Sequence, residues 1–364
     1  MSRTTWVGVL GSYTGRALRT VAVDGTTLTV LARAQQQRPS FVAAHPSEPI
    51  VVVVSERAAG RVVSYRVDPS TGAFERLGET ATGDAGPCHV TVDPRGAYVL
   101  VSHYTGGSVA VLPIEPDGSL AAPSDKRVHT GSGPRADRQA SAHPHSATFV
   151  TDDLVYVPDL GADRVAVYEL SRADGTLRPV PAGTLACRPG SGPRHLAVHP
   201  SDDVGYLLCE LDATLSVLNL ADPRRPTVVE THATVPDDVD AADTIAADVR
   251  VHPSGSYVYA SNRGHDSIAT FARTHVLSRI ERVGVTPSGG RYPRAIGVHP
   301  HGDRLFACHT RSDDVVSHQL DRHRGSRSRP TTTLTAPSPS CLRFVSAAGG
   351  PYRPILQHRP PSTR

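Results

Sequence analysis

The stretch HLAVHPSDDVGYLLCE, from His195 to Glu210, decides the fold because its pattern recurs along the chain. A short apolar run leads into a His-Pro pair, a turn of small and polar residues follows, and a second apolar run completes the phrase. Apolar runs bounded by Gly, Pro, Asp and Ser are typical of short β-strands. The phrase therefore predicts a hairpin of two strands around the proline turn.

Five other copies of the phrase are present, one of them degenerate and without the proline. They are FVAAHPSEPIVVVVSE from Phe41, HVTVDPRGAYVLVSHY from His89, SATFVTDDLVYVPDL from Ser146, DVRVHPSGSYVYASNR from Asp248 and AIGVHPHGDRLFACHT from Ala295. A third apolar run such as DRVAVYELS or ATLSVLNLA follows, and then a turn and a fourth strand. Four strands in a repeat of roughly fifty residues are typical of a β-propeller blade.

The two ends of the chain hold what is left after six copies. The stretch from Trp6 to Arg33 and the short apolar piece from Cys341 to Val345 together predict a seventh blade, which closes the ring and removes free sheet edges. We therefore predict an all-β, seven-bladed propeller over residues 1–344. Residues 345–364 form a tail rich in Pro and Arg without a strand signal, which we expect to be disordered.

Composition narrows the possible partners. The net charge of the 364-residue chain is only +3 and its charges are mixed in sign, which favours a solvated surface over a nucleic-acid footprint. No apolar run is long enough for a membrane span or signal peptide. Five scattered cysteines without a CxxC motif indicate reduced thiols and no zinc site. We expect a cytoplasmic protein without metal or cofactor; the oligomeric state is not predicted.

Aligning the blades on the turn proline picks out two positions that face each other at one end of each hairpin. Six residues before the proline stand Ser40, Cys88, Arg194, Ala247 and Arg294, with His145 at the matching place of the degenerate copy. Ten residues after it stand Glu56, Tyr104, Glu210, Arg263 and Thr310. Because innermost strands line the central channel of a propeller, these residues should form the mouth of a funnel.

Unlike residues occupy these equivalent places, whereas a purely structural repeat has little reason to vary them. The alternative is a polar rim that serves solubility only. The histidines of the turn phrase, by contrast, are predicted to bond to turn backbone: His45, His199, His252 and His299. The His-rich piece around His143 and His145 has no second cluster at ligand spacing, so we predict no metal site.

Several motifs resemble the lactonase family of seven-bladed propellers. They are GSYT from Gly11, PDLGADRV from Pro158, GSGPRHLAVHP from Gly190, CEL from Cys209, SNRGHDSI from Ser261 and SPSCLRF near the end, and the likeness runs from about Val7 to Phe344. The family includes bacterial propeller-type 6-phosphogluconolactonases and fungal carboxy-muconate cyclases. Two features depart from the family pattern: His103 stands where an Asn is usual, and the sixth blade lacks its Gly-bearing hairpin in DRHRGSRSRPTTT.

The resemblance implies an active site of one histidine, two arginines and a glutamate. By motif these are His145, Arg194, Arg263 and Glu210, the set that the blade comparison also singled out. As substrate-binding residues we predict Arg294, Arg164, His195 and Asp159; Arg294 and Arg164 are possible phosphate ligands, although Arg164 could instead brace the PDLGADR turn.

The implied activity is that of a lactonase, a carboxylic ester hydrolase acting on a small, anionic lactone. His145 would serve as general base and acid, because imidazole titrates near neutral pH. The arginines offer fixed donors for an oxyanion, carboxylate or phosphate. We expect 6-phosphogluconolactone or a related sugar lactone as substrate. Two alternatives stay open: a cycloisomerase that closes a muconolactone, and a propeller that only binds ligands.

Overall fold

The computed structural model describes residues 6–25, 27–239, 243–274, 279–321, 325 and 330–346. These residues form seven antiparallel sheets, each built on a path of four strands. No α-helix is present in these ranges, and none of them contains a helix that could cross a membrane. The predicted all-β, seven-bladed propeller is confirmed. The predicted boundary at residue 345 is wrong by two residues, because Val345 and Ser346 pair with the first strand of the chain; the rest of the predicted tail lies outside the described residues.

The blades follow one another along the chain from innermost to outermost strand. Blade 1 comprises β4 (Val42–Ala44), β5 (Ile50–Ser55), β6 (Arg61–Val67) and β7 (Phe74–Ala81). Blade 2 comprises β8 (Pro87–Val92), β9 (Tyr98–His103), β10 (Ser108–Pro113) and β11 (Asp125–Val128). Blade 3, from the degenerate copy, comprises β12 (Thr148–Phe149), β13 (Leu154–Asp159), β14 (Arg164–Ser171), β15 (Thr176–Pro179) and β16 (Leu185–Ala186), and both β15 and β16 pair with β14.

The later blades keep the four-stranded plan. Blade 4 comprises β17 (Pro193–Val198), β18 (Val204–Cys209), β19 (Thr214–Asn219) and β20 (Thr227–Ala233). Blade 5 comprises β21 (Ile245–Val251), β22 (Tyr257–Arg263), β23 (Ser267–Arg273) and β24 (Ile280–Pro287). Blade 6 comprises β25 (Pro293–Val298), β26 (Arg304–His309), β27 (Asp314–Gln319) and β28 (Thr331–Thr335), and β28 pairs antiparallel with β27.

Blade 7 is built from both ends of the chain, as predicted. The innermost strand β29 (Pro339–Ser346) pairs with β1 (Trp6–Ser12), which is followed by β2 (Ala17–Asp24) and β3 (Thr27–Gln35). The antiparallel register runs from Trp6 opposite Ser346 to Ser12 opposite Pro339. The last strand of the chain therefore fastens the ring.

The core lies between neighbouring blades. For example, Tyr206 of blade 4 packs in one buried cluster with Val258 and Phe271 of blade 5. Each blade contributes apolar side chains to the sheets on both sides of it, so no blade has a core of its own. This packing fixes the relative positions of the innermost strands, on which the candidate site stands.

The histidines of the proline turns join each blade to the next. His199 Nδ1 accepts hydrogen bonds from the backbone N–H groups of Ser201 and Asp202 in its own turn, while Nε2 bonds to the carbonyl oxygen of Gly255 in the following turn. The same contact recurs for His45 with Gly96 at 3.0 Å and for His252 with Gly302 at 2.8 Å. In blade 6, where the next blade has no such turn, the His299 ring packs on Phe344 of β29 instead. The predicted bond to turn backbone is present, and it extends to the neighbouring blade.

His103, the departure in blade 2, belongs to a polar network between strands. Its Nδ1 lies 3.3 Å from the Ser108 hydroxyl, which donates to Asp84 at 2.7 Å. Blade 6 repeats the arrangement with His309, whose Nδ1 lies 2.8 Å from the Asp314 carboxylate. We therefore interpret His103 as a structural residue of the scaffold.

Candidate active site

The innermost strands of blades 2, 4, 5 and 6 each carry a β-bulge near their start. The pairing register shifts between Pro87 and His89, between Pro193 and His195, between Ala246 and Val249, and between Pro293 and Ala295. A bulge leaves a residue unpaired and redirects its side chain, often beside a functional site. The residues in these bulges include Cys88, Arg194, Ala247 and Arg294, the positions that the blade comparison selected.

Glu210 is the centre of a buried ionic cluster. It follows β18 directly, and its Oε2 lies 2.5 Å from Nη1 of Arg194 on β17 and 2.9 Å from Nη2 of Arg263 at the end of β22. The exposed fractions of the three residues are only 1 to 3%. Backbone carbonyls hold both guanidiniums as well: Arg194 donates to Ala247 and Arg263 donates to Ala246. Side chains from adjacent blades are thus fixed around one carboxylate.

Arg138 is a third cation on Glu210 and was not among the predicted site residues. It lies on the loop between β11 and β12, and its Nη2 donates to Glu210 Oε1 at 2.6 Å. Arg135 and Gln139 anchor the same loop through the carbonyls of Leu211 and Leu160. Because this long connection breaks the repeat, blade alignment gives Arg138 no equivalent position.

His145 completes the cluster from the start of blade 3. Arg194 Nη1 donates a hydrogen bond to His145 Nε2, and the same ring nitrogen lies 4.0 Å from Glu210 Oε2. Since a guanidinium can only donate, Nε2 carries no proton and the imidazole is neutral. Backbone pairing of His145 N with the carbonyl of Pro158 at 2.9 Å fixes the residue against β13.

The environment keeps each group of the cluster in one charge state. Burial, together with the charge of Arg194, lowers the pKa of His145 well below its ordinary value. Burial alone would raise the pKa of Glu210, but the charges of Arg263 and Arg194 hold it well below the usual range. Burial lowers the pKa of Arg263 to about 10, which still leaves it protonated at neutral pH. The cluster at pH 7 is therefore a neutral base beside an ionised carboxylate and fixed cations.

The mouth carries more positive than negative charge. Arg294, in the bulge of β25, is half-buried, and its guanidinium lies over the ring of Tyr13 at 4.2 Å from the centroid. Arg138, Arg194 and Arg263 already surround the single carboxylate of Glu210, and Arg294 adds a further cation whose charge reaches Arg263. The resulting surplus of positive charge would attract an anionic ligand.

Tyrosines border the same mouth. Arg263 lies over the ring of Tyr292 at 5.4 Å, and Tyr104 packs edge-on against His145 at 5.3 Å. Tyr292 has a φ of 65°, a left-handed conformation that is uncommon for a bulky residue and is often found at functional sites. The sequence analysis placed Tyr104 at an exit position but gave no role to it or to Tyr292.

His195 lies next to the cluster, one residue further into the channel than Arg194. Its ring centroid is 5.5 Å from that of His145, and its Nδ1 lies 3.0 Å from Asp248 Oδ1. Burial lowers the pKa of His195 to about 4, so the ring is neutral. The structure therefore places it as part of the floor beneath His145.

Two predicted substrate ligands make their contacts away from the cluster. Asp159 is fully buried; it accepts the backbone N–H of His143 at 2.7 Å and lies 2.8 Å from His129 Nδ1. Arg164 donates to the carbonyl of Thr130 at 2.8 Å, and its nearest carboxylate is Asp159 at 3.8 Å. These contacts brace the loop that carries Arg138 and do not place either side chain beside Glu210.

Neither thiol nor metal chemistry is indicated at the mouth. Cys88 lies 3.9 Å from His145 Nδ1, but burial raises the pKa of its thiol to about 12, so it is no nucleophile at neutral pH. Within the described ranges, no group of three or more His, Cys, Asp or Glu residues could hold a metal ion. The groups available for catalysis at the mouth are therefore the imidazole of His145 and the guanidiniums around it.

Comparison with known proteins identifies the architecture that carries this cluster. Residues 5–344 match the family model described as Lactonase, 7-bladed beta-propeller. The chain belongs to this lactonase family. A lactonase-family relative, the 6-phosphogluconolactonase of Bacillus subtilis, is 30% identical over 94% of this chain and 99% of its own length. The predicted family and the predicted lactonase enzyme are thereby confirmed.

Solved structures of other proteins superimpose over nearly the whole chain. The periplasmic gluconolactonase of Pseudomonas aeruginosa gives a TM-score of 0.85 at 28% identity and covers 94% of this chain and 99% of its own. A protein from Lactobacillus plantarum gives a TM-score of 0.86 at 26% identity over 94% and 100% of the two chains. Since these relatives include a periplasmic one, the cytoplasmic location stays a prediction.

Proposed function

We propose that the chain hydrolyses a sugar lactone at the channel mouth, with 6-phosphogluconolactone as the first substrate to test. The observation that carries the proposal is the neutral imidazole of His145 held against guanidiniums that share one buried carboxylate. The printed name of the Bacillus subtilis relative, 6-phosphogluconolactonase, supports the substrate class. The residues His145, Arg194, Glu210 and Arg263 are proposed as the catalytic set.

His145 would act first as general base. In the ligand-free arrangement its Nε2 lone pair accepts a hydrogen bond from Arg194. When a lactone enters, the Nη1 hydrogen bond to Nε2 would pass to the substrate carbonyl oxygen, while the bonds of Arg194 to Glu210 and Ala247 stay in place. Nε2 would then be free to take a proton from water. The water oxygen then bonds to the carbonyl carbon. A positioned base of this kind contributes about 10²- to 10⁴-fold in rate.

The arginines would stabilise the tetrahedral intermediate. The attack places negative charge on the former carbonyl oxygen, and guanidinium N–H groups of Arg194 and Arg263 are fixed donors close to His145. Glu210 keeps both arginines in place, because its carboxylate accepts from each of them. We therefore assign Glu210 the positioning role within this set.

His145 would then act as general acid. As the intermediate collapses, the bond between the acyl carbon and the ring oxygen breaks, and the imidazolium gives its proton to that oxygen. Water has then added across the ester bond, the imidazole is neutral again, and the product is a hydroxy acid that ionises in solution. No redox step or cofactor is needed.

Arg294 is the residue that we propose for the phosphate group of the substrate. Its guanidinium is held over Tyr13 at 4.2 Å. Burial is the main cause of the lowered pKa values of His145 and Arg263, and the charge of Arg294 adds to both shifts. Arg164 was the other predicted phosphate ligand, but its contacts with Thr130 and Asp159 make Arg294 the better choice.

The central test is a coupled NADP assay on freshly made 6-phosphogluconolactone with spontaneous hydrolysis subtracted. We expect the wild-type protein to accelerate ring opening and Arg263→Ala to lose that acceleration. The exposed Arg225 offers a matched control, since Arg225→Met removes a guanidinium far from the cluster and should keep full turnover. A folded wild-type protein without acceleration would contradict the sugar-phosphate assignment and direct the search to muconolactones.

A second assay separates recognition of the phosphate from the chemical step. Hydrogen bonds to charged groups contribute about 1.5 to 3 kcal/mol, which corresponds to about ten- to a hundredfold in affinity. Arg294→Met should therefore raise the KM for 6-phosphogluconolactone by about that factor and leave the KM for unphosphorylated gluconolactone nearly unchanged. An equal rise for both substrates would show that Arg294 does not bind the phosphate.

A further inference from the structure

A second cavity lies at the opposite end of the central channel. Its volume is about 310 Å³, and the innermost strands of blades 1, 4, 5, 6 and 7 contribute to its lining. The lining includes Pro253 and Pro300 of the proline turns, whereas Arg194 and Arg294 stand at the other ends of the same strands. Four residues of β17 separate Arg194 from Val198, so the two sites are about 13 Å apart along the strand. We call this cavity the lower vestibule.

Two arginines enter the lower vestibule from the innermost strands of blades 5 and 7, on either side of blade 6. Arg250 on β21 is paired with Asp248 at 2.9 Å. Arg343 on β29 donates to the carbonyl of Leu342 and lies over the Phe41 ring at 4.8 Å. Across the described ranges, no carboxylate oxygen lies within 4.0 Å of a nitrogen of Arg343. Arg250 therefore has an ion-pair partner within the protein, whereas Arg343 has none among the described residues and interacts with the charge of Asp248 only from a longer distance.

The imbalance affects both arginines. Burial lowers the pKa of Arg250, and the neighbouring charge of Arg343 lowers it further. Two like charges facing one cavity destabilise each other, and an anion bound between them would relieve the repulsion. Guanidiniums are suited to this task because their planar forks match the geometry of a carboxylate or phosphate.

The rest of the lining indicates which anion fits. Apart from the two guanidiniums, the walls are apolar side chains and prolines, among them Val251, Val298 and Phe344. A volume of about 310 Å³ is at the lower end of the range for small-molecule pockets. An inorganic anion would leave these apolar walls unused, whereas an organic acid would place its body against them.

We propose that the lower vestibule is a binding site for a small organic carboxylate, with Arg343 and Arg250 on the carboxylate and the apolar walls on the rest of the molecule. The proposal does not depend on the function assigned to the upper mouth. The two sites are nevertheless joined by contacts, since Asp248 bonds to Arg250 on one side and to His195, beneath His145, on the other.

The test uses fluorine NMR of 4-fluorobenzoate titrated with the full-length protein. We expect saturable binding that Arg343→Met weakens about tenfold or more, as loss of a charged hydrogen bond predicts. Benzyl alcohol, which lacks the carboxylate, and inorganic phosphate, which lacks the apolar body, should compete poorly. Arg294→Met at the upper mouth and the exposed Arg225→Met should both leave the affinity within about twofold of wild type.

A second variant keeps the test decisive if Arg343→Met fails to fold. Ala197 also lines the lower vestibule, and Ala197→Leu would fill part of it while keeping both arginines. This variant should also weaken binding of 4-fluorobenzoate. Binding that depends on Arg294 and not on Arg343 or Ala197 would overturn the proposal, as would equally tight binding of phosphate or no binding at all.

Discussion

The two ends of the repeated hairpins differ in what they keep constant. At the turn end, His45, His199 and His252 each bond to a glycine carbonyl in the next blade, so one residue type does one task three times. At the mouth, equivalent bulges hold a cysteine, an alanine and two arginines. Within a repeat protein, identity between copies therefore indicates scaffold, and difference at a shared position indicates a site.

The physical reason is that every blade must pack into the same ring, whereas each blade can contact a different part of a bound ligand. Each blade packs only on its neighbours, so the clasp between turns does the same task at each of the three junctions that have it. A ligand in the mouth is not seven-fold symmetric, so the blades around it can differ. Each of the following variants changes one end of a hairpin, and the measurements show whether kcat, the stability of the fold or both are lowered.

The largest effect should come from His145 at the mouth. His145→Gln keeps a polar side chain of similar reach but cannot take up a proton, so we expect kcat for lactone hydrolysis to fall about 10²- to 10⁴-fold. His199→Gln is the matched control, because His199 is equally buried but stands at the turn end. It should lower thermal stability and leave kcat unchanged. Similar losses of kcat in both variants would contradict the division between the two ends.

The next effect concerns a glycine of the turn clasp. Gly255 has a φ of 76°, and a Cβ there would come 2.3 Å from Nε2 of His199. Gly255→Ala therefore combines left-handed strain, about 1 to 2 kcal/mol, with a displaced histidine, and should lower the free energy of unfolding by about 2 to 3 kcal/mol. Urea unfolding followed by circular dichroism measures the change, and kcat should not move.

Two other glycines separate strain from contact in that experiment. Gly25 has a φ of 57° but nothing within 4 Å of its Cβ position, so Gly25→Ala reports the backbone strain alone. Gly284 has neither, and Gly284→Ala should stay within about 0.5 kcal/mol of wild type. If Gly255→Ala were no worse than Gly25→Ala, the clasp with His199 would contribute nothing measurable.

Most of the fold could be predicted from the sequence because the repeat is strict in strands and turns. The six internal copies gave the blades, and the leftover ends gave blade 7, whose β29–β1 pairing the structure contains. The contact of the turn histidines with the next blade could not be read from the sequence, since it joins residues roughly fifty positions apart. Only the ring geometry brings His199 to Gly255.

Site residues could be predicted from the sequence only where another blade offers an equivalent position for comparison. Arg194 and Arg294 share a position with Cys88, so their difference was visible, although the bulge that redirects them was not. Tyr292 depends on a backbone conformation that the sequence does not signal, because bulky residues rarely adopt a positive φ. Asp159 and Arg164 share a motif, but the structure turns them toward the loop that precedes β12.

The smallest effect that we expect at the mouth concerns Arg138, which the repeat could not identify. The hydrogen bond from Arg138 to Glu210 Oε1 orients the carboxylate. In a variant that lacks this bond, Arg194 and Arg263 still hold Glu210 through Oε2. Arg138 is also 29% exposed, so solvent screens its charge more than theirs. We expect Arg138→Met to lower kcat about tenfold, equal to about 1.4 kcal/mol, with little change in unfolding free energy.

Two further variants, Arg135→Met and Arg138→Lys, show whether the fall in kcat comes from the lost ion pair or from a disturbed loop. Arg135 lies on the same loop but bonds to the carbonyl of Leu211, so Arg135→Met disturbs the loop and spares the carboxylate. Arg138→Lys restores the charge beside Glu210 and should recover part of kcat. If Arg135→Met lowered kcat as much as Arg138→Met and lysine recovered nothing, the loop would act on the mouth only by covering it, and Glu210 would need no third cation.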